Sequence, residues 1–204
     1  MSINPYLLID ILDNFESGLK NFGIVNEDIF NELLFFLSNQ GVKIKKNEIE
    51  NTVYNKLTIA LIAIHNGVNV VDICSKIDWH DFELFSSEIM KSHGYNVFTN
   101  FRLKNPRREI DVIGIKSQNA LLVDCKHWKK KSISGLKKIV EKQKNRSMLF
   151  IQKTKLNIEN AFPIVLTFLP NNFLFIDNVP IIPINKLNSF LLDFDCINHN
   201  LYKI

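Results

Sequence analysis

Hydrophobic residues among the first 78 positions recur at spacings of three and four, which predicts helices. Two stop signals, Gly41 and the pair Asn66-Gly67, mark where helices end. The pattern covers four segments: "NPYLLIDILDNFESGLKNF", "NEDIFNELLFFLSNQG", "KNEIENTVYNKLTIALIAIHNG" and "VNVVDICSKI". We therefore expect residues 1–78 to form an all-helical N-terminal domain. Its last two helices fit either a helix-turn-helix that reads DNA or a packing or dimerisation unit.

The period of the pattern changes after Asp78. The segment "DWHDFE" has an acid at the N-cap and another at the third helical position, which predicts a helix from about Trp79 to Ser92. Hydrophobic and polar residues then alternate with the period of two that is typical of strands. Strands are predicted at "YNVFTNFRL", "EIDVIGI", "ALLVDCKHW", "AFPIVLTFL" and within "FLFIDNVPIIPI", and helices at "SGLKKIVEKQKNRSMLFIQK" and "NKLNSFLLDF". Residues 79–204 are thus expected to form an α/β domain with an α-β-β-β-α-β core, in which helices flank a mixed sheet.

Two acids fall inside strands whose other residues are hydrophobic. Alternation places Asp124 and Lys126 on one face of the third strand and the Cys125 side chain on the other. If the preceding hairpin turns on Ser117-Gln118, Asp111 lies directly opposite Asp124, with Cβ atoms roughly 5 Å apart.

Neighbouring carboxylates repel each other, and burial increases the cost, so a shared cation is expected. Oxygen ligands suit Mg²⁺, with Mn²⁺ as a substitute. The Cys125 carbonyl is a candidate third ligand, whereas its thiol is expected to be inert. Lys126 is placed to orient a water or to stabilise a pentavalent phosphorane. The plainer alternative for Asp124 and Lys126 is a solvated ion pair worth about 0–1 kcal/mol.

Charge is distributed unevenly along the chain. Residues 1–78 contain 6 Lys and Arg against 10 Asp and Glu, whereas residues 79–204 contain 19 against 11. A basic second part indicates a polyanionic partner, most simply DNA, although a generic basic surface would show the same balance. The candidate nucleic-acid contacts are Arg107, Arg108, Lys129, Lys130, Lys131, Lys137 and Lys138.

"EID" followed by "DCK" resembles the PD-(D/E)xK nuclease superfamily, most closely the Mrr-like restriction endonucleases and next the archaeal Holliday-junction resolvases. The resemblance implies a restriction-endonuclease-like core in which Asp111 and Asp124 bind metal and Lys126 is catalytic. It also implies that Glu88, on the preceding helix, completes the site directly or through water, and that Gln143 has a role on the following helix. The alternatives are a helix-surface acid for Glu88 and a buried structural residue for Gln143. The sequence departs from the family pattern at Ile110, which replaces the proline of the motif, and at Asp124, where Glu is more common.

Bulk composition restricts the remaining possibilities. Hydrophobic residues make up 46% and charged residues 23%, as in ordinary globular proteins. We expect no membrane segment, no secretory signal and no small-molecule cofactor. The scattered Cys74, Cys125 and Cys196 form no CxxC pair, which favours the cytoplasm over an oxidising compartment.

The leading hypothesis is a Mg²⁺-dependent DNA endonuclease that acts as a homodimer. One alternative is a structure-specific Holliday-junction resolvase. Another is a nucleic-acid-binding module of the same fold that has lost catalysis.

Overall fold

A computed structural model describes residues 4–15, 27–76, 78–126, 132–167 and 174–204. The chain divides into two compact units, Met1–Asp81 and Phe82–Ile204. Within the described ranges, no helix combines the length and the apolar character required to cross a bilayer.

The first unit is mainly helical but contains a small hairpin. Its described elements are α1 (Pro5–Asp13), α2 (Glu27–Asn39), β1 (Ile44–Lys45), β2 (Glu48–Ile49), α3 (Val53–His65) and α4 (Val70–Cys74). β1 and β2 pair in antiparallel fashion, so the expectation of an all-helical domain was wrong for this segment.

Turn chemistry explains the hairpin. Lys46 and Asn47 have positive φ angles of 51° and 58°, the combination that a two-residue hairpin turn requires. Asn55, which is fully buried, holds both ends of the hairpin through hydrogen bonds to the backbone of Lys43 and Glu50 at 2.8–2.9 Å. The third helix therefore begins at Val53 and not near residue 46.

The helix predicted after Asp78 has the expected bounds. α5 (Trp79–Ser92) begins where the Asp78 carboxylate accepts a hydrogen bond from the Asp81 backbone N–H at 2.8 Å. The chain then turns through Gly94, at φ +80°.

A mixed sheet forms the centre of the second unit. The elements that follow α5 are β3 (Asn96–Leu103), β4 (Arg108–Lys116), β5 (Asn119–Lys126), α6 (Ile133–Lys153), β6 (Asn160–Thr167), β7 (Leu174–Ile176), β8 (Val179–Pro183) and α7 (Ile184–Ile197). Among the described residues, six strands lie in the order β3-β4-β5-β6-β8-β7. Pairing is antiparallel from β3 to β5 and between β7 and β8, and parallel from β5 through β6 to β8. The predicted mixed α/β architecture is confirmed.

Helices cover both faces of this sheet. On one face, α6 buries Val140 against β6 and β8, and Phe150 against β4 and β5. On the other face, α5 approaches so closely that a Cβ added at Gly114 would stand 2.3 Å from the end of Met90. Phe194 of α7 stacks edge-to-face on Phe162 of β6, with ring centroids 5.1 Å apart.

The β3–β4 ladder is interrupted at one position. Thr99 pairs with Val112 and Phe101 pairs with Ile110, but Asn100, at φ +52°, stands outside the ladder opposite Asp111. Ile110 and Ile113 both join the core beneath α6, although regular alternation would put residues three apart on opposite faces. The strand therefore changes face around Asp111, which frees this acid from regular pairing.

We predict that Phe150→Ala lowers the free energy of unfolding by about 3–5 kcal/mol, because the fully buried ring also stacks on Phe101 and its loss leaves a cavity. Met148→Ala, on the exposed side of the same helix, should change it by about 0.5 kcal/mol or less. Chemical denaturation of the two variants measures the difference, and similar small losses would contradict this account of the core.

Candidate active site

Two acids and a lysine meet where β4 begins and β5 ends. The β4–β5 ladder reaches Val112↔Val123, so Asp111 and Asp124 are the next positions on the two strands. Lys126 Nζ lies 2.7 Å from Asp124 Oδ2 and 3.9 Å from Asp111 Oδ2. The structure thus brings together the two carboxylates and the lysine identified in the sequence.

Asp111 is fixed by a backbone group. Its Oδ2 accepts a hydrogen bond from the Cys125 N–H at 2.7 Å, across from its own strand. Burial raises the pKa of Asp111, and the charge of Asp124 raises it further, while Lys126 and the Cys125 N–H act in the opposite direction. The carboxylate is therefore in a setting where additional positive charge is favourable.

Asp124 is almost completely buried, with 1% of its surface exposed, and both of its oxygens bind cations. Oδ2 binds Lys126, and Oδ1 accepts a hydrogen bond from Nη1 of Arg146 on α6. The sequence indicates only that Arg146 belongs to a basic helix. Arg146 lies three residues after Gln143 on the same side of that helix, but this spacing alone does not show which cation of the helix turns inward.

Gln143 is fully buried and is linked to Asp124 through a shared hydrogen-bond partner, Arg146. Its Nε2 donates to the Leu122 carbonyl at 2.7 Å, and its Oε1 accepts from Arg146 Nη1 at 3.3 Å. Gln143 therefore fixes α6 to β5 and also orients the guanidinium that binds Asp124.

The carbonyl and the thiol of Cys125 lie in different environments. The carbonyl oxygen accepts a hydrogen bond from Lys126 Nζ at 3.2 Å, which places it beside the charged group. The thiol is buried against α5, 4.0 Å from Ser86 Oγ, and burial raises its pKa well above the usual value. This environment disfavours the reactive thiolate.

The helical acid predicted for the site has a partner on its own helix. Glu88 forms a 2.6 Å ion pair with Lys91 and its side chain is 36% exposed, as expected for the alternative of a helix-surface acid. Glu83 lies five residues earlier, roughly 140° around the helix, and is only 6% exposed. The charges of Asp111 and Asp124 both act on Glu83 and raise its pKa, so this carboxyl group lies within electrostatic reach of the strand acids.

The buried face of α5 that carries Glu83 is not recognisable from hydrophobicity, because two of its residues are serines. Ser86 and Ser87, one turn after Glu83, are buried, and Met90 follows one turn later against Gly114. Positions 83, 86, 87 and 90 have helical spacing, but two serines do not mark a buried stripe in a hydrophobicity pattern.

Glu83 carries an unusual charge environment. Within the described residues, its Oε2 is buried without a hydrogen-bond partner. Its pKa is raised from 4.5 to about 7, chiefly by burial and then by the charge of Asp111, with Lys126 opposing the rise. Such a carboxyl group exchanges protons near neutral pH.

The predicted nucleic-acid contacts occupy exposed positions where they are described. Arg107 and Arg108 lie just before Asp111, and Lys137 and Lys138 lie on the first half of α6. Lys129, Lys130 and Lys131 fall outside the described residues.

A family model for the nuclease-related domain matches residues 79–183, more than half of the chain. The chain belongs to the nuclease-related domain family. This is a PD-(D/E)xK-like family of nucleases, so the broad resemblance is confirmed, and the closer likeness to Mrr-like enzymes or resolvases stays a prediction. Asp111, Asp124, Lys126 and Glu83 all lie inside the matched part.

Other comparisons are distant. No curated protein matches the chain. A crystal structure of protein VC1899 from Vibrio cholerae is similar with a TM-score of 0.41 and 13% identity, over 96% of this chain. The match spans 55% of the Vibrio cholerae chain, so this protein covers about half of that structure's length.

The donor atoms in this nuclease-related domain fit a hard cation that keeps much of its water. Among the described residues, no three His, Cys, Asp or Glu side chains converge closely enough to hold a metal ion by themselves. Mg²⁺, however, is usually held by only one or two carboxylates together with water and substrate phosphate. Asp111, Asp124 and the Cys125 carbonyl are all oxygen donors, and the partnerless Glu83 oxygen adds a further acceptor.

The raised pKa of Glu83 predicts a pH-dependent stability. The folded state keeps this carboxyl group protonated up to about pH 7, so its contribution to stability is present below about pH 4.5 and lost as the pH rises through 7. Glu83→Gln removes the titration. The free energy of unfolding of this variant relative to wild type should therefore increase between about pH 4.5 and 7, by about 3 kcal/mol at most.

Chemical denaturation in EDTA across this pH range measures the effect. Glu88→Gln is the matched control, because it makes the same substitution on the same helix and leaves the buried carboxyl group of Glu83 in place. Parallel curves for wild type and Glu83→Gln would show that Glu83 is ordinarily ionised in the folded protein.

Proposed function

We propose that this protein is a metal-dependent DNA endonuclease that hydrolyses phosphodiester bonds with Mg²⁺, for which Mn²⁺ can substitute. The observation that carries the proposal is the convergence of Asp111 and Asp124 on Lys126 at the edge of a mixed sheet. Membership of a nuclease-related family supports the reaction class.

The roles follow from the position of each group. Asp111 and Asp124 would hold the ion, with the Cys125 carbonyl as a third oxygen. When bound, the ion would polarise the phosphate and lower the pKa of its water. Lys126, fixed by Asp124 and by the Cys125 carbonyl, is a hydrogen-bond donor that can orient the attacking water and stabilise charge on the pentavalent phosphorus.

Glu83 takes the role that the resemblance assigned to Glu88. Its buried position and its pKa of about 7 suit a group that accepts a proton from water near neutral pH. The carboxyl group would act through water or through the hydration shell of the ion.

DNA is the proposed substrate because the second part of the chain is basic and exposes cations on the segments that precede Asp111 and follow Lys126 in sequence. Arg107 and Arg108 precede Asp111 on the same strand or its turn, and Lys137 and Lys138 stand on the helix after Lys126. Such residues bind phosphates irrespective of base sequence, so binding should weaken as salt increases. The homodimer expected from the resemblance stays a prediction, which sedimentation at working concentration measures.

Substitution of the acids and the lysine tests the catalytic proposal. Asp111→Ala, Asp124→Ala and Lys126→Ala should each lower plasmid cleavage by about 100-fold or more, because each removes a metal ligand or a charge-stabilising donor. Cleavage by the wild type should require Mg²⁺ or Mn²⁺ and stop in EDTA. Glu88→Gln is the control and should cleave at nearly the wild-type rate. Activity that survives all three substitutions would refute the assignment.

A substrate panel separates the alternatives. Linear duplex, single-stranded DNA and a four-way junction are compared in the same assay with the wild-type protein. Cleavage confined to the junction would favour a resolvase over an Mrr-like enzyme. Salt-dependent DNA binding without metal binding in calorimetry would favour a module that has lost catalysis.

A further inference from the structure

Asp124 is bound by two cations that come from different elements. Lys126 follows it on β5, whereas Arg146 comes from α6, which packs across the sheet. Each cation takes one carboxylate oxygen, and only 2% of the Asp124 side chain is exposed. Each oxygen has a further lone pair, but a metal ion that reaches either one in this buried setting comes close to a resident cation, whose positive charge repels it.

The two cations differ in their other partners. Lys126 also donates a hydrogen bond to the Cys125 carbonyl, and its Nζ lies 3.9 Å from Asp111 Oδ2. These additional partners hold its ammonium group between the two acids. Arg146 is ion-paired with Asp124 alone among the described acids, and its second partner is the neutral Gln143. The Arg146 side chain is 23% exposed and the Lys126 side chain is 25% exposed, so the two cations differ in their partners and not in exposure. Because it has fewer charged partners, Arg146 is the cation that a metal ion can displace more easily.

Gln143 holds the guanidinium in place until it leaves. Because Gln143 is anchored to the Leu122 carbonyl, its Oε1 offers Arg146 a fixed acceptor beside Asp124. Arg146 therefore differs from an ordinary surface ion pair, which contributes little to stability. Its guanidinium has two fixed partners, Asp124 and Gln143.

We propose that Arg146 is a resident cation that neutralises Asp124 in the metal-free protein and competes with the divalent ion for Asp124 Oδ1. It is a positioning residue that acts through Asp124 and sets the affinity for metal. The inference rests on the proposed function, because it assumes that Asp124 is a metal ligand. Metal binding at Oδ1 weakens or displaces the Arg146 ion pair, and this cost lowers the observed affinity for metal.

Calorimetric titration of the DNA-free protein with Mn²⁺ tests the proposal. Arg146→Ala and Arg146→Gln should each bind Mn²⁺ about tenfold more tightly than wild type, because no ion pair has to be broken. Arg146→Gln keeps a polar side chain beside Gln143 and serves if the alanine variant is unstable. Thermal unfolding without metal checks that each variant is folded.

Lys142→Ala is the matched control, since it removes one positive charge from an exposed position one turn earlier on α6. The affinity of this variant for Mn²⁺ should stay within about twofold of wild type, because an exposed charge interacts with the site mainly through water, where the interaction is weak. Asp124→Asn should abolish binding, which would identify the acid for which Arg146 competes.

The outcomes separate this inference from the proposed function. The inference would be overturned if the wild type binds Mn²⁺ and both Arg146 variants bind it equally well or more weakly. If Arg146 only oriented Asp124, its removal would lower the affinity of the protein for metal. The proposed metal-dependent function would then stand. Absence of binding in the wild type and in every variant would overturn the metal-dependent function, and the inference with it.

Discussion

Repulsion between two neighbouring carboxylates, the half-buried Asp111 and the buried Asp124, is the constraint on which the rest of the second unit depends. Burial and proximity both disfavour their charged forms, so the fold must bring positive charge and N–H donors to them. β5 supplies Lys126 and the Cys125 N–H, and α6 supplies Arg146. The packing of α6 across the sheet, anchored by Phe150 and Gln143, therefore serves the charges as well as the core.

The second unit was predictable because its local signals agree with one another. The period of two predicts the strands, and the capping acids predict the helix before them. The two-residue turn between β4 and β5 then specifies their register, which is observed at Val112↔Val123. The hairpin around Lys46 and Asn47 was missed, because Asn47 is followed by Glu48 in place of the glycine that usually marks such a turn and the surrounding hydrophobic spacing is compatible with a helix.

Two features of the site could not be predicted, for different reasons. The burial of Glu83 depends on Ser86 and Ser87, small polar residues that allow α5 to lie close to the sheet but leave no hydrophobic stripe. The role of Arg146 depends on how α6 crosses β5, which is a tertiary relationship. A basic helix in a sequence shows how many positive charges it carries, but not which of them turns inward.

The hydrogen bond between the Cys125 N–H and Asp111 has a consequence for related sequences. The acid is held by the main chain, so the middle residue of the Asp-Cys-Lys triplet contributes its backbone and not its side-chain chemistry. Proline is excluded there because it has no N–H, and bulky residues are disfavoured because the side chain meets Ser86. Homologues of this protein should accept alanine, serine or valine at that position, and a sequence search that demands a thiol would miss them.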